Sequence, residues 1–217
     1  RNFRYRTPDD YDAAWYDKTY DLAKLDEVDF IVVPFPDMPS GAHTFLSFGF
    51  EGKDYLAVSV EVRKRQGDPG FNMARSVVEP YEIMYVVGDE RDLIALRANN
   101  RLDDVYLYRA KVTPAVARAL FRDVMKRVND LNEKPEYYNV VTNNCTTNVR
   151  KHVNDIAPQR VPYNVDVLFP GYSDRLAYDD GLIVKHGSFE ETRAAARVNR
   201  LAYVYRDDPD FSQRIRR

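Results

Sequence analysis

Hydrophobic positions follow two periods along this chain, and the period of two dominates its first half. From Ala42 to Phe50, residues Ala42, Leu46, Phe48 and Phe50 share one face of an extended strand. From Tyr55 to Arg63, residues Leu56, Val58, Val60 and Val62 do the same, and Glu51-Gly52-Lys53-Asp54 between the runs predicts a hairpin. If the two apolar faces coincide, even positions oppose even ones, because a slip of one residue turns one set to the wrong side. The other face then carries His43, Phe45 and Ser47 beside Ser59, Glu61 and Arg63, with His43 opposite Glu61 or diagonal to it.

Phe30–Phe35, bounded by prolines, predicts a further buried strand, and Tyr81–Val87 and Val105–Val112 predict two more. Helical spacing appears at Glu90–Arg97 and most clearly after Thr113-Pro114, where Val116, Leu120, Val124, Val128 and Leu131 form a stripe. Another helix begins at Cys145, capped by Asn143 or Asn144, and Val149, Val153 and Ile156 share the buried face that also carries the cysteine. Asp166–Tyr178 reads as partly helical up to a C-cap at Gly181, and Ser188-Phe189-Glu190-Glu191 as the capping box of a final helix to about Arg200. Gly67–Asn72 reads as loop and Arg75–Glu79 as at most one helical turn. Residues 1–29 read as an aromatic wrapping segment with one short strand, Phe3–Arg6, and residues 184–217 as a C-terminal helix and tail. The expectation is a single α+β domain over residues 1–217, an antiparallel sheet with helices packed on one side.

Composition narrows the function classes. With 44% hydrophobic residues and 16 tyrosines, the 217-residue chain has the material for a sizeable core. The net charge of −2, with acids and bases interspersed, leaves no footprint for nucleic acid. A single cysteine rules out an internal disulfide and a thiolate-rich metal site, and the three scattered histidines argue against zinc, so no metal or cofactor is expected. No apolar run approaches the roughly 18 residues that cross a bilayer. The chain starts at Arg1 without a methionine, so a processed or excised piece is expected, one from which an upstream anchor could have been removed.

The candidate chemistry centres on Cys145. A thiol in the first turn of a helix feels unpaired backbone N–H groups and the positive end of the helix dipole, which favour the thiolate. The competing reading is a small buried core residue. Of the histidines, His152 lies seven residues further along the same helix, about 10 Å at 1.5 Å per residue, and cannot reach the sulfur. His186 sits in a polar segment before Gly187. His43 remains, on a strand face shared with Glu61. Together they supply a nucleophile, a proton acceptor and a group to hold the imidazole tautomer, and we expect them to meet in a cleft open to solvent. Glu61 serves equally well as a salt-bridge partner of Arg63 or Arg65 on a solvated face. Asn144 is a candidate oxyanion donor beside the Cys145 N–H, and Arg63, Tyr138 and Tyr172 are candidates to line the cleft, each equally readable as structural.

Four stretches carry a family resemblance: Gly41-Ala42-His43-Thr44-Phe45-Leu46-Ser47-Phe48-Gly49-Phe50, Ser59-Val60-Glu61-Val62-Arg63-Lys64, Asn143-Asn144-Cys145-Thr146-Thr147-Asn148 and Pro170-Gly171-Tyr172-Ser173-Asp174-Arg175-Leu176-Ala177-Tyr178. They resemble the signature blocks of the Lnb N-terminal periplasmic domain family. The resemblance implies a papain-like fold in the circularly permuted order, histidine strand before cysteine helix, as in lecithin retinol acyltransferase. It also implies an envelope lipoprotein N-acyltransferase. The acyl chain would come from a phospholipid or lipoprotein donor, pass through a cysteine thioester, and end on a lipoprotein amino terminus. By position, Cys145 would be the nucleophile, His43 the base and Glu61 its orienting partner, in a periplasmic protein held at the membrane by a segment outside this chain. Two other readings stay open: a peptidase or amidase using the same residues with water as acceptor, and a non-catalytic interaction domain.

Overall fold

The computed structural model describes residues 1–63, 81–157, 161 and 170–216. Five antiparallel strands form the central sheet: β3 (Leu25–Phe35), β4 (Met38–Phe50), β5 (Asp54–Arg63), β6 (Glu82–Gly88) and β7 (Tyr106–Arg109), in the order β6-β5-β4-β3-β7. A small hairpin, β1 (Arg4–Thr7) with β2 (Asp10–Asp12), stands apart. The N-terminal stretch is therefore less of a wrapping segment than expected, because residues 25–29 extend the long strand β3.

Register follows the hydrophobic pattern. β4 and β5 pair as Phe45↔Ser59, Leu46↔Val58 and Phe48↔Leu56, so even positions face even ones. Their turn places Glu51 and Gly52 at φ of 51° and 62°, with Lys53 N–H bonded to the Phe50 carbonyl at 3.1 Å. Positive φ at both central residues is the type I′ geometry, whose twist matches that of the flanking strands.

Helices cover both faces of the sheet, which corrects the expectation of one covered side. On the even face, α2 (Pro114–Glu133) and α3 (Cys145–Ile156) bury Leu120, Val124 and Val149 against Leu46, Phe48 and Val58. α4 (Ser173–Asp179) and α5 (Phe189–Ala196) continue that layer over Val32, Ala42 and Tyr108. On the odd face, α1 (Glu90–Ala95), a π turn at Leu96–Arg101, α6 (Asn199–Val204) and α7 (Phe211–Arg214) pack on Ile31, Val33, Phe45 and Ala57. The cause is visible in β3, where Ile31, Val32 and Val33 are all buried: a strand apolar at consecutive positions needs cover on two sides. The tail locks onto the odd face through Arg216, which donates to the buried Asp29 at 2.7 Å and to Glu90 at 2.8 Å.

Other boundaries also shift. Thr113 caps α2 and Pro114 opens it as predicted, but Val116 is exposed and Ala117 takes its place in the core. The final helix is two: the Ser188–Glu191 capping box starts α5, extended backbone at Arg197 ends it, and α6 follows. The predicted features at 67–72 and 75–79, and the start of the helix predicted from Asp166, lie outside the described residues.

Candidate active site

Asparagine side chains build the loop that delivers the thiol. The Asn139 carboxamide oxygen accepts from the backbone N–H groups of Val141 and Thr142, both at 2.9 Å, closing a tight turn. Asn148 then reaches back from α3 to Asn143 Oδ1 at 2.8 Å. Asn144 is the N-cap: its side-chain oxygen accepts from Thr147 N–H at 2.9 Å, and Thr147 Oγ1 accepts from the Asn144 N–H at 2.8 Å. Cys145 is thus the first residue of a reciprocally capped helix of 12 residues, at its positive end.

The sulfur docks on β4 just beyond the end of its pairing with β5 at Phe45↔Ser59. Carried one step further, the same offset puts His43 opposite Glu61. Sγ lies 3.8 Å from the Ala42 carbonyl oxygen and 3.9 Å from Thr146 Oγ1, and the Thr44 N–H bonds to it. His43 Nε2 is 2.7 Å from Ser59 Oγ and 3.2 Å from Glu61 Oε1. The ring also lies close enough to the Cys145 thiol that each perturbs the other, the imidazole drawing the thiol down and the thiol drawing the imidazole up. Ser59 also donates to Glu61 Oε1 at 2.7 Å, and Arg97 donates to the same oxygen at 2.8 Å. His43 and Glu61 therefore meet, as the strand pattern predicts, and the Cys145 thiol lies beside the ring.

Their electrostatics favour charge separation. Burial pushes the Cys145 thiol up, but the His43 hydrogen bond and charge, with the Thr44 N–H and the Thr146 hydroxyl, outweigh it and bring the pKa down to about 7. Burial and the Arg97 charge push the His43 pKa down, while Glu61 and the bonds to Cys145 and Glu61 push it up; the net shift is upward. Burial likewise works against the Glu61 carboxylate, yet His43, Arg97 and Ser59 hold it well below the usual range. A thiol drawn down beside an imidazole drawn up and backed by a carboxylate is the charge arrangement that a cysteine nucleophile requires. The expected open cleft is not what surrounds it: Cys145 is 4% and His43 7% exposed.

The remaining candidates separate. Tyr138 joins the site, its hydroxyl bonded to both the backbone and the side chain of Cys145; burial, followed by the nearby Cys145 and Glu61 charges, pushes its pKa up. The Asn144 side chain is engaged at both ends: its oxygen caps the helix and its Nδ2 donates to the Val140 carbonyl at 2.7 Å. Arg63 points away to Glu82 at 3.2 Å on the exposed surface. Tyr172 is exposed on the Pro170–Tyr172 turn, held against β4 where Gly171 approaches Pro39 too closely for a side chain. His152 stays out of the site, as its spacing predicts, bonded to Asp123 at 2.6 Å and to the Tyr85 hydroxyl at 2.7 Å. Sequence reasoning missed Arg97 and Ser59; the signal for Ser59 is its place next to Glu61 on β5, on the sheet face that also carries His43 of β4.

A five-stranded antiparallel sheet sandwiched by helices, with a cysteine at a helix start facing a strand histidine, defines the class as an α+β domain with a cysteine–histidine–glutamate constellation. The model of the Lnb N-terminal periplasmic domain matches residues 11–171, and the chain belongs to that family. No curated protein and no solved structure matches it. Among the described residues, no helix is long and apolar enough to cross a membrane.

Proposed function

We propose that this domain is a cysteine-dependent acyltransferase of the bacterial envelope, related in mechanism to lipoprotein N-acyltransfer. The observation that carries the reading is geometric: Cys145 opens a reciprocally capped helix beside His43, whose Nε2 lies 3.2 Å from Glu61 Oε1. The order of strand histidine, strand glutamate and helix cysteine is consistent with the permuted papain-like arrangement that the family resemblance implies.

His43 takes the Cys145 proton, and the thiolate attacks the ester carbonyl of a lipid acyl donor. In this reading the Cys145 N–H and the Tyr138 hydroxyl, both beside the sulfur, are the groups that donate to the tetrahedral oxyanion. Collapse expels the alcohol, which leaves with the proton from His43, and a thioester remains on Cys145. An amine, the lipoprotein amino terminus in this reading, then attacks the thioester. His43 accepts the amine proton and returns it to sulfur as the amide departs. Glu61, with Ser59 and Arg97 behind it, holds the ring tautomer throughout.

The test is to incubate the protein with phospholipid vesicles or a diacylated lipopeptide and measure the mass of the Cys145 peptide. A hydroxylamine-labile fatty-acyl adduct, discharged to an added lipopeptide amine, supports transfer. An adduct discharged only to water would make the domain a hydrolase, and full cellular activity of Cys145→Ser would remove catalysis altogether.

A further inference from the structure

Behind the nucleophile lies an apolar cavity of about 370 Å³ between α2, α3 and the even face of the sheet. Its walls include Leu46, Leu120, Val149 and Val153, and it is overwhelmingly apolar. Thr146 belongs both to this wall and to the surroundings of the sulfur, 3.9 Å from Sγ and 3.1 Å from Thr44 Oγ1. The cavity therefore ends one side chain away from the reacting atom. A pure core helix would close such a space, since an unfilled apolar volume costs stability in proportion to its size. Here the α3 stripe Val149, Val153 and Ile156 faces the cavity instead, joined by Val116 of α2.

We infer that this cavity binds one long unbranched hydrocarbon chain of the acyl donor and that its depth sets chain-length preference. The inference rests on the acyl-transfer reading for its occupant, while the cavity itself is a separate observation. An apolar cavity of about 150 Å³ holds a benzene ring. In the same proportion, 370 Å³ holds on the order of 15 carbon atoms. Polar acceptors gain nothing from such walls, so the cavity selects for the donor. Burying each methylene tightens binding by up to about fourfold until the space is filled.

The experiment separates this inference from the catalytic reading by using the Cys145→Ala protein, which binds without reacting. Fluorescence of cis-parinaric acid, displaced by fatty acids of increasing length, should report affinity that rises with each methylene and levels off near 14 to 16 carbons, on the order set by the cavity volume. Val116→Trp and Val153→Phe, made separately so that one folded variant suffices, should each weaken long-chain binding at least tenfold. In the protein with Cys145 intact, the same substitutions should slow thioester formation from long-chain phospholipid and from diacylated lipopeptide. They should leave short-chain thioester formation and iodoacetamide alkylation unchanged. A difference between the two long-chain donors would identify the source of the chain. Length-independent binding, or binding insensitive to both substitutions, would overturn the inference. Chain binding without any Cys145 adduct would instead sink the acyltransferase reading and leave the cavity assignment standing.

Discussion

Arg97 donates to Glu61 Oε1 at 2.8 Å, so the carboxylate that orients His43 is itself held by a cation from the opposite layer of helices. Ser59 shares that oxygen at 2.7 Å. Truncating Arg97 to methionine leaves a half-buried carboxylate with less compensation, at a cost of about 1–3 kcal/mol by the price of an unmatched charged hydrogen bond. The charge of Arg97 also pushes the His43 pKa down, so its removal should favour the imidazolium and draw the midpoint of Cys145 reactivity to lower pH. Chemical denaturation and the pH dependence of Cys145 alkylation read the two effects separately. A stability loss with an unmoved pH profile would make Arg97 a structural prop only.

The Cys145 thiol should titrate near pH 7, and its reactivity should depend on His43. Because the thiol is 4% exposed, the absolute rate of alkylation is limited by access, and the pH profile is the diagnostic. In His43→Ala the two His43 contributions vanish while burial still pushes the thiol up, so the midpoint should climb to or above the ordinary value of about 8.5. At pH 7 that shift lowers the thiolate fraction more than about tenfold. The stability linkage has a definite sign. A thiol with a depressed folded pKa adds stability above its unfolded value, and that contribution fades as pH falls through about 7. Thermal unfolding of wild type and Cys145→Ala between pH 6 and 9 checks it.

Much of the site was legible because strands report their faces directly. Alternation in β4 and β5 fixed the parity of pairing, and parity alone brought His43 to Glu61. A cap at Asn143 or Asn144, which the structure assigns to Asn144, and the start at Thr113-Pro114 were legible because capping chemistry is local. Arg97 was not, since one charged residue in a short helical stretch reads as solvated, and only the π turn and the odd-face packing bury it to 7% exposure. The second helical layer was written in the unbroken apolar run of β3 and in Phe45 and Ala57 on the odd face. Those signals were weaker than the even-face alternation that dominates the same strands.

Tyr138→Phe removes a hydroxyl that touches the Cys145 backbone and side chain while keeping the ring. If that hydroxyl donates to the developing oxyanion, kcat for acyl transfer should fall about 10²- to 10³-fold, as for loss of one oxyanion donor elsewhere. Iodoacetamide alkylation, which forms no tetrahedral intermediate, should change far less. Equal losses in both reactions would assign Tyr138 to shaping the thiol environment.

Asn144→Ala tests the opposite role. The side chain closes a reciprocal cap with Thr147 and donates to the Val140 carbonyl, so its loss removes two anchors of the loop before Cys145. Cap removal costs about 0.5–2 kcal/mol, and the buried setting favours the upper part of that range. The helix start that surrounds the thiol loosens with it, so the Cys145 pKa should drift upward from about 7. Asn144→Asp or Asn144→Ser, which keep a capping oxygen, should recover most of the stability. A carboxylate beside the sulfur, however, opposes the thiolate, so Asn144→Asp should recover folding without recovering reactivity at pH 7, whereas Asn144→Ser should recover both. Urea denaturation and the alkylation profile of the three variants measure this, and equal reactivity in Asn144→Asp and Asn144→Ser would show that the cap acts on the fold and not on the charge at Cys145.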